Sequence, residues 1–221
     1  MLIEKFEAGP IWTIGYLVYD SHLLEGIVID VPLLSADKIY RRIRDLNLKI
    51  KSIVATHGHW DHIGEMRKLK SLTGATVCAH KSDEWMLQDP NSALIRPPLP
   101  VEPASIDVYL DQSSVVSFGN FNLDVIHTPG HSAGSICLYE KNEGVLFTGD
   151  TLFCESIGRT DLPSGSFEEI SRSISGKLMV LPGSVRIFPG HGADSTLSKE
   201  KDGNEFVRMM LSDRVHSGEV K

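Results

Sequence analysis

Apolar positions change period repeatedly along the chain, and the changes mark out two comparable passes of strands and helices. In the first pass, Ile11 to Tyr19 and Gly26 to Ile29 read as strands, and the spacing from about Ser35 to Leu46 predicts a helix. A third run, Ile50 to Thr56, predicts a buried strand. Ile63, Met66, Leu69 and Leu72 then recur at helical spacing and predict a helix from His62. A short strand at Ala75 to Cys78 and a helix near Ser82 to Leu87 close the pass.

Asp89 to Pro103 breaks the rhythm. Its five prolines, Pro90, Pro97, Pro98, Pro100 and Pro103, can neither pair as a central strand nor continue a helix. The segment is expected to be a long surface loop acting as lid or pocket wall. The second pass is strand-rich: Ser114 to Phe118, Phe121 to His127, Ser135 to Tyr139 and Gly144 to Phe147, with a hairpin turn at Phe118-Gly119-Asn120-Phe121. A helix from about Ser166 to Leu178, a strand at Val185 to Phe188 and helical residues near Asn204 to Leu211 follow. Two strand-rich halves with helices outside imply a mixed α/β chain in which two sheets pack face to face under helices.

Composition narrows the setting. With 221 residues and 41% hydrophobic content the chain can bury a sizeable core, and its length fits one domain, residues 1–221. A formal charge of −7 and the lack of any Lys/Arg run argue against nucleic acid as a partner. Cys78, Cys137 and Cys154 show no paired spacing, which suits a reducing compartment; Cys154 is expected to be a small buried side chain. The charged start Met1 to Glu7 does not read as a signal peptide, and no run is long enough to span a membrane. A cytoplasmic location is the expectation.

The candidate chemistry begins at Thr56-His57-Gly58-His59-Trp60-Asp61-His62, directly after a buried strand. Clustered imidazoles and carboxylate are costly to bury without a ligand, so the segment reads as a metal site. His57 and His59, two apart in extended chain, point to one side and can grip one ion; Asp61 and His62, where the helix begins, face a second point. Three further ligands stand at glycine-punctuated strand ends: His131 after Thr128-Pro129-Gly130, Asp150 after Gly149, and His191 between Gly190 and Gly192. Five histidines and two aspartates are too many for one tetrahedral ion and suit two if a carboxylate bridges, with Asp150 the candidate bridge. Of the other histidines, His80 and His127 are expected to be structural, and His22 and His216 exposed.

The ordered set His-x-His-x-Asp-His, Gly-His, Gly-Asp, Gly-His resembles that of the metallo-β-lactamase superfamily. The resemblance implies a four-layered αββα sandwich. It gives His57, His59 and His131 to one metal, Asp61, His62 and His191 to a second, and Asp150 to both. Zinc is the expected metal, with iron or manganese the alternatives. Gly149-Asp150-Thr151-Leu152-Phe153 looks most like glyoxalase II and its single-domain relatives, and Ser156-Ile157-Gly158-Arg159-Thr160-Asp161-Leu162-Pro163 resembles those relatives more closely. Asp at position 150 differs from the zinc β-lactamases that use a Cys ligand there, which argues against antibiotic hydrolysis. The stretch after His191 is too short for the C-terminal helical domain of glyoxalase II, whose absence is expected.

Such a centre implies hydrolysis of an activated acyl bond in a small thioester or ester. Metal coordination can pull the pKa of water from about 15.7 to about 7, making a bridging hydroxide the nucleophile. By the same resemblance Asp61 accepts a hydrogen bond from that hydroxide. Arg159 sits where glyoxalase II carries a Lys that meets glutathione, so it is either an anion anchor or half of an Arg159–Asp161 ion pair. A second class shares these motifs: persulfide dioxygenases, in which His57, His131 and Asp150 would hold one ferrous ion. A non-catalytic metal-binding protein is the third reading.

Overall fold

The computed structural model describes residues 1–216, with side chains through Asp213, so the expected exposure of the His216 side chain lies outside the described residues. The first pass forms a sheet whose spatial order follows the sequence: β1 (Leu2–Ala8), β2 (Thr13–Asp20), β3 (Glu25–Ile29), β4 (Lys49–Val54), β5 (Thr76–His80) and β6 (Val108–Leu110). The β1–β2 and β2–β3 pairs are antiparallel, and the pairs from β3 to β6 are parallel. The parallel steps need crossovers. Those crossovers carry α1 (Ala36–Asp45), then α2 (Trp60–Ile63) with α3 (Met66–Thr73), then α4 (Glu84–Gln88).

The second sheet contains β7 (Val115–Phe118), β8 (Phe121–His127), β9 (Ile136–Glu140), β10 (Val145–Gly149), β13 (Arg186–Pro189) and β14 (Ser195–Thr196), in the order β14-β13-β10-β9-β8-β7. A small hairpin, β11 (Leu152–Phe153) and β12 (Ser156–Ile157), follows β10. Outside lie α5 (Phe167–Ser173), which runs on into a π turn at Ile174–Leu178, then α6 (Leu197–Gly203) and α7 (Glu205–His216).

Side-chain alternation shows why both sheets are covered on both faces. Along β2, Tyr16 and Val18 join the core between the sheets with Val125, Leu138 and Phe147, whereas Leu17 and Tyr19 join the core beneath α1 and α3 with Ile39, Ile43, Met66 and Leu69. On the second sheet, Leu146 and Ile187 face outward onto Ile170, Ile174, Leu178 and Met210. The result is helix, sheet, sheet, helix, the expected αββα order.

Several elements differ from the sequence reading. β1 was not predicted because an edge strand blunted by Glu4, Lys5 and Glu7 lacks a clean apolar face. The three-residue β6 and the two-residue β11, β12 and β14 are too short to show a period. α6, polar apart from Leu197, is announced only by its Thr196 cap, whose side chain accepts from Lys199 N. The helix predicted from His62 is two helices. Glu65 breaks them because its N–H donates to Val31 O and its carboxylate accepts from Ala36 N at 2.7 Å, tying the break to the start of α1. Cys154 is half-buried rather than buried, within 3.6 Å of Lys199 Nζ. Among the described residues, no helix is long and apolar enough to cross a membrane.

Candidate metal centre

All seven predicted ligands meet at one end of the seam between the sheets. Three overlapping groups have donor atoms within 4.8 Å of one another: His57, His59 and His131; His57, His62 and Asp150; and Asp61, His62 and His191. The first and third are the two triads expected from the sequence. Asp150 lies between them, with Oδ2 at 3.5 Å from both His131 Nε2 and His191 Nε2 and Oδ1 at 3.2 Å from His62 Nε2. Asp61 Oδ2 is 3.3 Å from both His62 Nε2 and His191 Nε2.

The backbone explains the convergence. β4 ends at Val54 and the chain stays extended to His59, so His57 and His59 share a side before α2 turns Asp61 and His62 toward the second triad. Gly149 has φ +47, the left-handed turn that aims Asp150 back over the sheet end. At Gly190 a Cβ would lie 2.3 Å from Asp150 Oδ1 and 2.5 Å from His62 Cε1, so only glycine lets that loop bring His191 in.

Four of the five histidines are held by the ring nitrogen that faces away from the cluster. His57 Nδ1 lies 3.2 Å from Thr56 Oγ1, His62 Nδ1 2.7 Å from Asp30 Oδ2, His131 Nδ1 2.8 Å from Arg159 O and His191 Nδ1 3.2 Å from Ile11 O. Such outer contacts fix ring orientation and tautomer in metal sites. On the inner side, His57 Nε2, His62 Nε2 and Asp150 Oδ1 are buried without an aligned hydrogen-bond partner. Buried polar atoms are rarely orphaned in this way, and three in one cluster fit a donor set built for cations.

Electrostatics agree. Burial, reinforced by the neighbouring His62 and His131 rings, holds His57 well below the usual imidazole range, and burial with His131 lowers His59 to about 4. Both rings therefore present a lone pair at neutral pH. Burial would also lower His62, but Asp150, Asp61 and Asp30 outweigh it and raise the ring well above its ordinary value. Burial raises Asp150, and the stronger pull of His62, His131 and His191 brings it below the carboxylate range. This nest of carboxylates favours positive charge, whether proton or metal ion.

Sequence reasoning missed three supporting side chains. Asp30, buried at the end of β3 with φ +57, accepts from Thr56 N and Thr56 Oγ1, both at 2.8 Å, and meets His62. Its signal was an acid closing an otherwise apolar strand. Asp83, also buried, accepts from Gly58 N at 2.9 Å, Ser132 Oγ at 2.6 Å and Gly134 N at 2.7 Å, clamping the His57–His59 segment to the His131 loop. Thr13 Oγ1 donates to Asp61 Oδ2 at 2.7 Å.

Gly130-His131-Ser132-Ala133-Gly134 also spells the Gly-x-Ser-x-Gly pattern of serine hydrolases. Ser132 is fully buried and its Oγ is engaged by Asp83 and Ser135, in a loop between two strands rather than on a strand-to-helix elbow. It is a structural serine. His80 and His127 are structural as well, stacked at 4.1 Å, with His80 accepting from Ser82 N and His127 Nε2 beside Ala133 O. His22 is exposed.

A cavity of about 380 Å³ opens above the cluster. His59, Asp61, His131, Asp150 and His191 line it, together with a wall to which Ala93, Leu94 and Ile95 of the proline-rich segment contribute. Arg159 also lines it, and its guanidinium forms a two-point pair with Asp161 at 2.8 and 2.9 Å.

The chain is similar in sequence and fold to known proteins. The family model described as the metallo-beta-lactamase superfamily matches residues 23–191. The Haemophilus influenzae protein named hydroxyacylglutathione hydrolase GloC is 34% identical over 198 residues, covering 86% of this chain and 91% of that protein. Among solved structures, BLEG-1 B3 metallo-beta-lactamase is 34% identical with a TM-score of 0.86, covering 93% of this chain and 99% of its own. TTHA1623 in a di-iron-bound form is 30% identical with a TM-score of 0.76, covering 92% and 99%. ETHE1 from Myxococcus xanthus shares the fold at 24% identity, with a TM-score of 0.79 and coverage of 100% and 92%.

Proposed function

The chain belongs to the metallo-β-lactamase superfamily, and we propose that it is a metal-dependent hydrolase, with zinc in two adjacent positions, that cleaves a small thioester or ester. The observation that carries this reading is the double triad: four histidines pinned from behind, His57 Nε2, His62 Nε2 and Asp150 Oδ1 without a hydrogen-bond partner, and Asp150 within reach of both groups. The similarity to a protein named as a hydroxyacylglutathione hydrolase supports the thioester.

In this reading His57, His59 and His131 would hold one ion and Asp61, His62 and His191 the other, with Asp150 within reach of both groups. Bound there, the ions supply a water that is nucleophilic near neutral pH and positive charge for the carbonyl oxygen. The side chains do the rest. Asp61, fixed by Thr13 and lowered below the carboxylate range by His62 and His191 against its burial, stays ionised and would accept a hydrogen bond from the attacking water. Thr56, Asp30 and the Arg159 carbonyl keep the histidine lone pairs directed inward. Among the described residues, Arg159 is the one fixed positive charge lining the cavity, and it is our proposed substrate contact.

The test is metal analysis of protein purified without added metal, with thioester, ester, β-lactam and oxygen-uptake assays on the same sample. Two equivalents of zinc and oxygen-indifferent thioester or ester hydrolysis are expected. One equivalent of iron, with oxygen consumed in the presence of glutathione persulfide, would establish the dioxygenase instead. Opening of a β-lactam with no thioester or ester turnover would place the chain with the lactamases.

A further inference from the structure

The wall of the cavity is chemically one-sided. Ile11 arrives from the turn before β2, Trp85 from α4, Leu94 and Ile95 from the proline-rich segment, and Ile157 and Leu162 from the far side. Several of these are left in solvent: Leu94 is 73% exposed, Ile11 45%, Ile95 44% and Trp85 44%. Single exposed apolar residues are ordinary, but convergence from separate segments onto one mouth marks a surface that is covered in use.

Fixed positive charge is scarce on the same wall. Arg159 is the only Lys or Arg among the described residues that line it, and its Nε and one terminal nitrogen are engaged by Asp161. A glutathione conjugate brings two carboxylates and an ammonium. Laying a carboxylate against Leu94, Ile95 or Trp85 would strip its water without replacing it. An uncharged apolar group loses nothing there and covers the exposed side chains.

We propose that the substrate hydrolysed at this centre carries an uncharged aromatic or branched aliphatic group beside the scissile carbonyl, received by Trp85, Leu94, Ile95 and Ile11, and that glutathione is not the group recognised. This rests on the hydrolase reading and names its substrate class. A hydrophobic pocket distinguishes apolar groups by roughly ten- to a few hundredfold for small differences in size, so selectivity should be readable in kcat/KM.

The experiment uses the metal-loaded full chain and four thioesters, each rate normalised to its alkaline hydrolysis: acetyl and phenylacetyl thioesters of N-acetylcysteamine, the acetyl thioester of benzyl mercaptan, and a glutathione acetyl thioester. Either apolar thioester should exceed the small neutral one by about tenfold or more, with the glutathione thioester gaining nothing. The ratio should collapse toward one in a Trp85→Ala/Leu94→Ser variant and persist in Leu23→Ser, a change at a residue 54% exposed in the β2–β3 turn. Equal rates throughout, or preference for glutathione, would overturn the proposal while leaving the hydrolase standing.

Binding of benzylacetone and of S-methylglutathione, followed by tryptophan fluorescence, is independent of turnover. If no thioester is cleaved, the thioester reading falls. Saturable binding of benzylacetone alone would still support the apolar site, and binding of S-methylglutathione alone, or of neither, would refute it.

Discussion

Replacing Asp83 by alanine removes an acceptor shared by three donors on two ligand-bearing segments, Gly58 N, Gly134 N and Ser132 Oγ. Hydrogen bonds to a charged acceptor contribute about 1.5–3 kcal/mol each, a gross sum on the order of 5–9 kcal/mol. Two effects reduce it. Burial raises the Asp83 carboxyl above its ordinary range despite the opposing pull of Ser132, Gly58 and Gly134, so desolvation already offsets part of the gain. Ser132 Oγ also retains Ser135 Oγ at 2.8 Å. A net loss of about 3–5 kcal/mol remains, in line with removing one partner from a buried charged network. For a domain of this size that corresponds to roughly 6–20 °C in melting temperature. Thermal unfolding of the zinc-loaded protein measures it. Zinc titration supplies the second readout, because the clamp joins the segment of His57 and His59 to that of His131. Asp83→Asn, which keeps one oxygen but turns an NH2 toward an N–H donor, should fall between the two. If Asp83→Ala melts within about 2 °C of wild type and binds zinc equally well, the clamp is not a determinant of the site.

Asp150→Ala should lower metal content below two equivalents and turnover by more than about a hundredfold, since even outer contacts of a metal ligand are worth tenfold to a hundredfold; elemental analysis and kinetics of one preparation check both. His191→Ala leaves the His57, His59 and His131 group whole, so about one equivalent should remain while hydrolysis drops sharply; two retained equivalents would remove His191 from the centre. Stripping metal with a chelator should lower the melting temperature reversibly, because a ligand that binds only the folded state stabilises it by mass action, and zinc should restore it. Asp20 governs acid stability through a different region. The backbone N–H of His22, with those of Leu23 and Asn120, outweighs desolvation and brings its carboxyl to about 2 in the folded protein. The unfolded value lies near 3.9, so its stabilisation is complete above about pH 4 and is lost as pH falls toward about 2. In metal-free protein, Asp20→Asn should flatten melting temperature against pH over that window, and an unchanged acid slope would contradict the assignment.

What was legible in the sequence was whatever repeats or punctuates. The apolar run through Ile11 to Tyr19 marked a strand, and glycines before Asp150 and around His191 marked turns that carry the candidate ligands. The partners behind the ligands were hidden because each depends on distant chain: Asp30 meets His62, Asp83 meets Gly134, and His131 is held by the carbonyl of Arg159, whose identity a side-chain reading cannot reveal. Arg159 was weighed as anchor or ion pair, and the pair with Asp161 is formed while the side chain also lines the cavity. The break at Glu65 escaped notice because Ile63, Met66 and Leu69 keep helical spacing straight through it.

The seven donor residues are drawn from both halves of the chain, from His57 just after β4 completes the first crossover to His191 just after β13, which pairs with β10. Ions seated among them would act as cross-links, closing long loops much as disulfides do in proteins whose cysteines, unlike Cys78, Cys137 and Cys154 here, are paired. His57, His59, Asp61 and His62 lie together in one segment, so a link between the sheets would exist only once docking brings His131, Asp150 and His191 to them. It also means that slippage along the seam and release of metal are one event. Resistance to local opening at this end of the molecule should therefore follow the free metal concentration rather than the size of the apolar core.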